Sequence, residues 1–319
     1  MTDSNTKVRL GVSTCLLGAN VRFDGGHKKD HYLTETLAPF VEWIAACPEV
    51  DIGLGTPREA IRLIGTQEAP RLFAPKSGLD LTDKMQKYAR EKIAQLQHMD
   101  LDGYILKKDS PSCGMERVRI YHESGTASRT GVGLFARVLM EEMPDLPVEE
   151  EGRLHDSGLR ANFIVRVFAH RRWRELIAND FTLAALVAFQ AQHKFLLMAH
   201  SEKHLRLMGK LVAEAKARKL KEANTEYGKL FFAALREPAT KRAHTNVLQH
   251  LAGFFKKQLD GKDKSELQDV IADFRKGLIP LIVPITLIKH YLNKFELQYL
   301  RDQIYLNPHP KELMLLNHV

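Results

Sequence analysis

Apolar residues in the first half of the chain come in short runs bounded by turn residues, and in the second half they recur at every third or fourth place. Val8-Arg9-Leu10-Gly11-Val12-Ser13 and Gly103-Tyr104-Ile105-Leu106 are brief apolar runs that predict buried strands. Trp43-Ile44-Ala45-Ala46 reads as a third strand rather than the end of a preceding helix. Between these runs Leu81, Met85, Tyr88, Ile93, Leu96 and Met99 recur at roughly helical spacing. Strands alternating with helices predict an α/β domain, a parallel-type sheet flanked by helices. From about residue 181 the pattern is helical to the end, with Leu205, Met208, Val212 and Ala215 along one face, which predicts an all-α C-terminal domain. Gly209 and Gly253, isolated in this pattern, predict close helix packing. Pro280 and Pro284 place a loop within 277–288. Between the halves Phe163, Val167, Phe168, Trp173 and Leu176 mark an amphipathic connector, preceded by an expectedly exposed acidic run, Glu149-Glu150-Glu151. The expected division is a domain over 1–148, a helical connector over 149–180 and a helical domain over 181–319.

Charge divides the chain in the same place. Residues 1–150 hold 19 Lys and Arg against 22 Asp and Glu, a net of −3, while residues 151–319 hold 28 against 17, a net of +11. A basic half joined to a mildly acidic one suits a module that binds nucleic acid or another anion, although a solvated helical surface gives the same count. The densest basic patch is Arg166, Arg171, Arg172 and Arg174 with His170, interleaved with aromatics as phosphate contact and base stacking require. Arginines near a helix end are also favoured simply by the helix dipole. His200 and His204 have the spacing of a helical metal site, but no carboxylate motif of the zincin kind follows, so packing or RNA contact is the expected role.

The chain has three cysteines, Cys15, Cys47 and Cys113, separated by 32 and 66 residues. That spacing matches no compact ferredoxin or zinc signature. Their neighbours say more: Gly18, Pro48, Pro111 and Gly114 place each cysteine beside a tight turn, and each follows a predicted strand. In an open parallel sheet the loops after the strand ends converge on a ligand site. An odd count and no apolar leader argue against a disulfide framework and point to the reducing cytoplasm. No run approaches the ~18 apolar residues of a membrane span.

Three motifs in order carry a resemblance: Cys15-Leu16-Leu17-Gly18 with Arg22-Phe23-Asp24-Gly25-Gly26-His27-Lys28, then Cys47-Pro48-Glu49 with Gly53-Leu54-Gly55-Thr56-Pro57-Arg58, then Lys107-Lys108-Asp109-Ser110-Pro111-Ser112-Cys113-Gly114. Over about residues 7–148 the chain resembles the thiouracil desulfurase family. The resemblance implies a 4Fe-4S cluster on three cysteines, here Cys15, Cys47 and Cys113, whose open iron takes the sulfur of a thiolated uracil while water replaces it. Hydrolysis of a thiocarbonyl also needs a base for water. The resemblance places it at Glu49, with Ser110 positioning water or relaying a proton and Ser112 competing for that role. Asn20, Arg22 and Asp24 are candidates for holding the base, and Arg58 and Lys107 for binding phosphate or offsetting cluster charge.

The segment from Phe189 through His193, Lys194, Met198 and His200 to His204 resembles the start of a YbgA-like helical domain of unknown function, a likeness that continues to about Asn307. That domain occurs alone or fused behind thiouracil desulfurase-like domains. Fused forms resemble tRNA desulfidases, which makes thiolated tRNA the expected partner and loss of sulfur from 4-thiouridine the expected reaction. Three alternatives stand beside this: a desulfurase of free thiouracil or thiouridine, a non-enzymatic iron–sulfur sensor of nucleic acid, and a zinc site of the three thiolates with a histidine such as His27. Oligomeric state is not legible.

Overall fold

The strand predicted over 8–13 is central to the first sheet of the molecule. A computed structural model describes residues 7–122, 125–179, 181–217 and 220–318. These form two compact units, Met1–His155 and Asp156–Val319. The first contains strands β1 (Val8–Ser13), β2 (Val41–Ala46), β3 (Arg62–Gly65), β4 (Pro70–Ala74), β5 (Leu79–Asp80), β6 (Gly103–Leu106), β7 (Val118–Tyr121), β8 (Ala127–Gly131) and β9 (Val148–Glu150). Its helices are α1 (Pro48–Asp51), α2 (Thr82–Leu96) and α3 (Leu134–Glu142).

One sheet is fully parallel, in the order β2-β1-β6-β9. Its two inner strands are buried along almost their whole length, as expected where helices cover both faces and the strand reads as continuous apolar sequence. Gly11 pairs across the ladder with Tyr104, and a Cβ at Gly11 would stand 2.1 Å from the Tyr104 ring. Glycine here makes room for an aromatic in the core. The second sheet, β5-β4-β3-β7-β8, is antiparallel except for β3 beside β7, and the apolar runs of the sequence did not announce it: its strands are short and β8 is mostly polar. On α2, Met85, Ala89, Ile93 and Leu96 turn into the core, at the predicted period.

Glu149, Glu150 and Glu151 correct an expectation. They are 5, 5 and 7 % exposed rather than solvated. The reason is that Glu149 and Glu150 lie in sheet strand β9 with Glu151 directly after it, and each carboxylate has donors of its own. Glu149 accepts from Arg153 Nε (2.6 Å), Glu150 from the Met115 N–H (2.7 Å), and Glu151 from Lys107 Nζ (2.5 Å) and the Lys108 N–H (2.8 Å).

The second unit is helical: α4 (Ser157–Ala178), α5 (Leu183–His200), α6 (Glu202–Glu214), α7 (Leu220–Arg236), α8 (Lys241–Gly253), α9 (Gly261–Lys276), α10 (Ile282–Phe295) and α11 (Gln298–Arg301), followed by 3-10 turns. Asp156, Thr182, Thr240 and Asp260 cap α4, α5, α8 and α9 by accepting a backbone N–H. The connector stretch enters the unit as α4, whose Trp173 stacks on Tyr227 with ring centroids 5.2 Å apart and meets Phe189 edge-on. Gly209 and Gly253 do not serve close packing, since a Cβ at either would meet nothing within 4 Å; that role falls to Gly228, against the Trp173 ring. His200 hydrogen-bonds the Glu237 carbonyl (2.7 Å), and His204 pairs with Ser201 Oγ (2.9 Å) and the Glu237 carboxylate (3.2 Å). Among the described residues no helix is long and apolar enough to cross a membrane.

Candidate active site

Three loops leave the same edge of the parallel sheet, and each carries one cysteine. Cys15 sits in the 3-10 turn Thr14–Leu17 directly after β1, ended by Gly18 at φ +96°, a left-handed conformation natural to glycine. Cys47 follows β2 and begins α1. Cys113 lies in a turn beyond β6 that is closed by the Gly114 N–H on the Ser110 carbonyl (2.8 Å). The first turn of α3 then locks that loop, because the N–H groups of Phe135 and Ala136 bond the Ser112 carbonyl at 3.0 and 3.1 Å. Gly133 is needed here, since its Cβ would stand 2.5 Å from the Ser112 carbonyl oxygen.

All three thiols are free. Burial pushes Cys15 up to about 11 and Cys113 up to about 12, and raises Cys47 as well. The bare thiols therefore hold their protons at neutral pH, and taking up a metal would release them.

The cysteines line one cavity of about 430 Å³ together with Glu49, Ser110 and Ser112. That volume suits a small ligand. Glu49 is fixed from both sides. Its Oε2 accepts from Arg58 Nε (3.1 Å) and from the second guanidinium nitrogen (2.5 Å), and its Oε1 accepts from Ser112 Oγ (2.6 Å) and, more weakly, Ser110 Oγ (3.4 Å). The two hydroxyls lie 3.0 Å apart. Ser110 Oγ also accepts the Cys113 N–H (3.1 Å), so it shapes the loop while Ser112 meets the carboxylate.

Arg22, Arg58 and Lys107 line the same cavity; Asn20 and Asp24 do not. Asn20 is exposed, and Asp24 accepts the Gly26 N–H (3.1 Å) and stands 3.5 Å from Arg22, so its carboxyl is held below the usual range chiefly by that backbone bond. Arg58 is the clamp on Glu49, and Lys107 is paired with the buried Glu151. Sequence reasoning missed Glu151 and also Ser13, whose Oγ accepts the Lys107 N–H (3.0 Å). Both act across long separations that leave no local pattern.

The arginine patch of the second half lies on α4. Arg171 pairs with Glu175 (2.6 Å), and Arg172 donates to the Pro308 carbonyl at 2.6 and 3.1 Å, burial pushing its guanidinium down to about 10. Arg166 and Arg174 are half-buried with interactions of their own. None of the four is fully exposed.

Cys15, Cys47 and Cys113 are the soft thiol ligands among the residues lining this cavity. Among the described residues no three His, Cys, Asp or Glu side chains gather closely enough for a single ion. Zinc needs its donors about 2.0–2.3 Å from one point, and His27 does not line the cavity. The three cysteines line one cavity, and thiolates are the ligands that iron–sulfur clusters take.

Fold and site define the class. The family model for 2-thiouracil desulfurase matches residues 10–151, which include every residue lining the cavity, and a model for a protein of unknown function, DUF1722, matches residues 194–310. The chain belongs to the 2-thiouracil desulfurase family through its first unit, with a DUF1722 domain behind it. Uncharacterized protein YbgA of Escherichia coli (strain K12) is 30 % identical over 164 residues, 51 % of this chain and 94 % of the relative. Uncharacterized protein YbbK of Bacillus subtilis (strain 168) is 31 % identical over 136 residues, 41 % and 88 % respectively. A solved structure described as the 4Fe-4S-dependent thiouracil desulfidase TudS is 31 % identical, covers 47 % of this chain and 95 % of that one, and superposes with a TM-score of 0.39.

Proposed function

We propose that this protein removes sulfur from 4-thiouridine in tRNA to give uridine, with a 4Fe-4S cluster held by Cys15, Cys47 and Cys113 and one iron left open. The observation that carries the reading is the meeting of these three thiols, Glu49 and Ser112 around one cavity in a chain of the 2-thiouracil desulfurase family. Bound there, the cluster would supply a thiophilic Lewis acid for the thiocarbonyl sulfur.

The rest of the chemistry belongs to the chain. Glu49 takes a proton from water as its hydroxide adds to the thiocarbonyl carbon; the carbon–sulfur bond then breaks while the added hydroxyl loses its proton to become the carbonyl, and the two protons leave with sulfur as hydrogen sulfide. Arg58 and Ser112 hold the Glu49 carboxylate from opposite sides, so the base is oriented before substrate arrives. Ser110, 3.0 Å from Ser112, extends a short hydroxyl relay. The second unit, in the half that carries a net +11, supplies sequence-independent affinity for the RNA backbone. Three free thiols suit the reducing cytoplasm.

The test is to incubate the cluster-loaded protein with thiolated tRNA, 4-thiouridine and free thiouracil and follow the loss of thiocarbonyl absorbance. Turnover should be fastest on tRNA and absent in Cys113→Ala. Equal turnover on free thiouracil would reassign the substrate, and no sulfide release from any thiolated uracil would make the protein a sensor.

A further inference from the structure

Phe23 is a large apolar side chain left 41 % exposed while lining the catalytic cavity. Its surroundings are built. The Phe23 carbonyl accepts the Arg58 N–H (2.9 Å), and Arg58 also donates to the Val21 carbonyl (3.0 Å), so the arginine that clamps Glu49 fixes the loop carrying this ring. The Arg22 guanidinium lies over the ring, 5.4 Å from its centroid, and pairs with Asp24 at 3.5 Å. Val21, Ala60 and Ile61 line the cavity as well, together with the thiols, the Glu49 carboxylate and the serine hydroxyls. A cavity lined both by an exposed aromatic ring and by reactive polar groups suits a flat heterocycle that carries its reactive atom on one edge.

We propose that Phe23 is the base-stacking residue of this site: the thiolated pyrimidine lies on the ring face not taken by Arg22. The proposal rests on the desulfurase reading and adds the residue that selects an aromatic base and sets its plane relative to Glu49. Stacking of a base on an aromatic side chain is sequence-tolerant and strong enough to dominate binding of a single nucleoside.

The test uses full-length, cluster-loaded Phe23→Ala, Phe23→Leu and Phe23→Trp, with cluster loading checked by absorbance. Affinity for 4-thiouridine is measured by calorimetry, and KM and kcat by loss of thiocarbonyl absorbance. Wild type and Phe23→Trp should bind alike, whereas Ala and Leu should weaken binding and raise KM by about 10-fold, with kcat changed much less. Unchanged affinity and KM in Phe23→Ala or Phe23→Leu beside an active wild type overturns stacking alone. A wild type that neither binds nor desulfurates any thiolated uracil overturns the desulfurase reading and stacking with it.

Discussion

Arg58 and Glu49 meet at 2.5 Å with side chains only 6 and 14 % exposed, and the same guanidinium reaches the Val21 and Gly55 carbonyls. One cation thus ties the loop after β2 to the loop after β1, and holds the proposed base between them. A buried pair of this kind is costly to break from one side, because the charge left behind has neither water nor partner.

Arg58→Ala should therefore cost about 3–5 kcal/mol of stability, read as a lower denaturation midpoint. Arg58→Lys keeps the charge but loses the planar fork that reaches Glu49 and Val21 together. Its stability should fall less, while kcat falls at least about 10-fold. A lysine variant with wild-type turnover would show that Glu49 needs only a nearby charge.

Ser110 and Ser112 should separate in their effects. Ser112→Ala removes the 2.6 Å bond to Glu49, and kcat should fall by roughly 10–100-fold with stability little changed. Ser110→Ala removes the acceptor of the Cys113 N–H, and an unsatisfied buried donor costs about 1–3 kcal/mol, so its main effect should appear in denaturation. Steady-state kinetics beside chemical unfolding of both variants decides between these roles, and the reverse ranking would hand the carboxylate-facing role to Ser110.

Gly133→Ala tests the Cys113 loop without touching a thiol. The added methyl would meet the Ser112 carbonyl and the Cys113 nitrogen at 2.5 and 2.8 Å, and both belong to backbone. Overpacking of this sort costs about 1–3 kcal/mol. The variant should keep its far-ultraviolet spectrum and bind less iron per chain; full iron content would show that the loop yields without moving Cys113.

The second unit should be sensitive to acid. Burial pushes His193 and His244 down to about 3 and His309 down to about 4, from an ordinary value near 6.5. Below pH 6.5 the unfolded chain binds protons at these positions and the folded chain does not. Stability is therefore held above that pH and lost as it falls towards the folded values, at up to about 1.4 kcal/mol per pH unit for each histidine. Circular dichroism should show helix loss between about pH 6 and 4, and His193→Gln should shift that transition to lower pH. A helical signal flat down to pH 4 would contradict the burial of these rings.

The layout of the candidate site was partly legible because motifs are local. Cys15, Cys47 and Cys113 stand next to glycines and prolines that must turn the chain, and each follows an apolar run, so their place at strand ends could be read one segment at a time. The division into an α/β unit and a helical unit followed from apolar period in the same way. Tertiary structure decided what each polar residue near the cysteines is bound to. Arg58 is nine residues from Glu49, Lys107 is 44 from Glu151, and Ser13 is 94 from Lys107, separations over which no sequence period operates. The parallel pairing of β1, β6 and β9, which brings the chain back to the same edge after each crossover, sets Lys107 within reach of both Ser13 and Glu151. The same effect turned the Glu149–Glu151 run from an expected solvated stretch into buried acceptors, because a carboxylate can be buried wherever the fold delivers it enough donors.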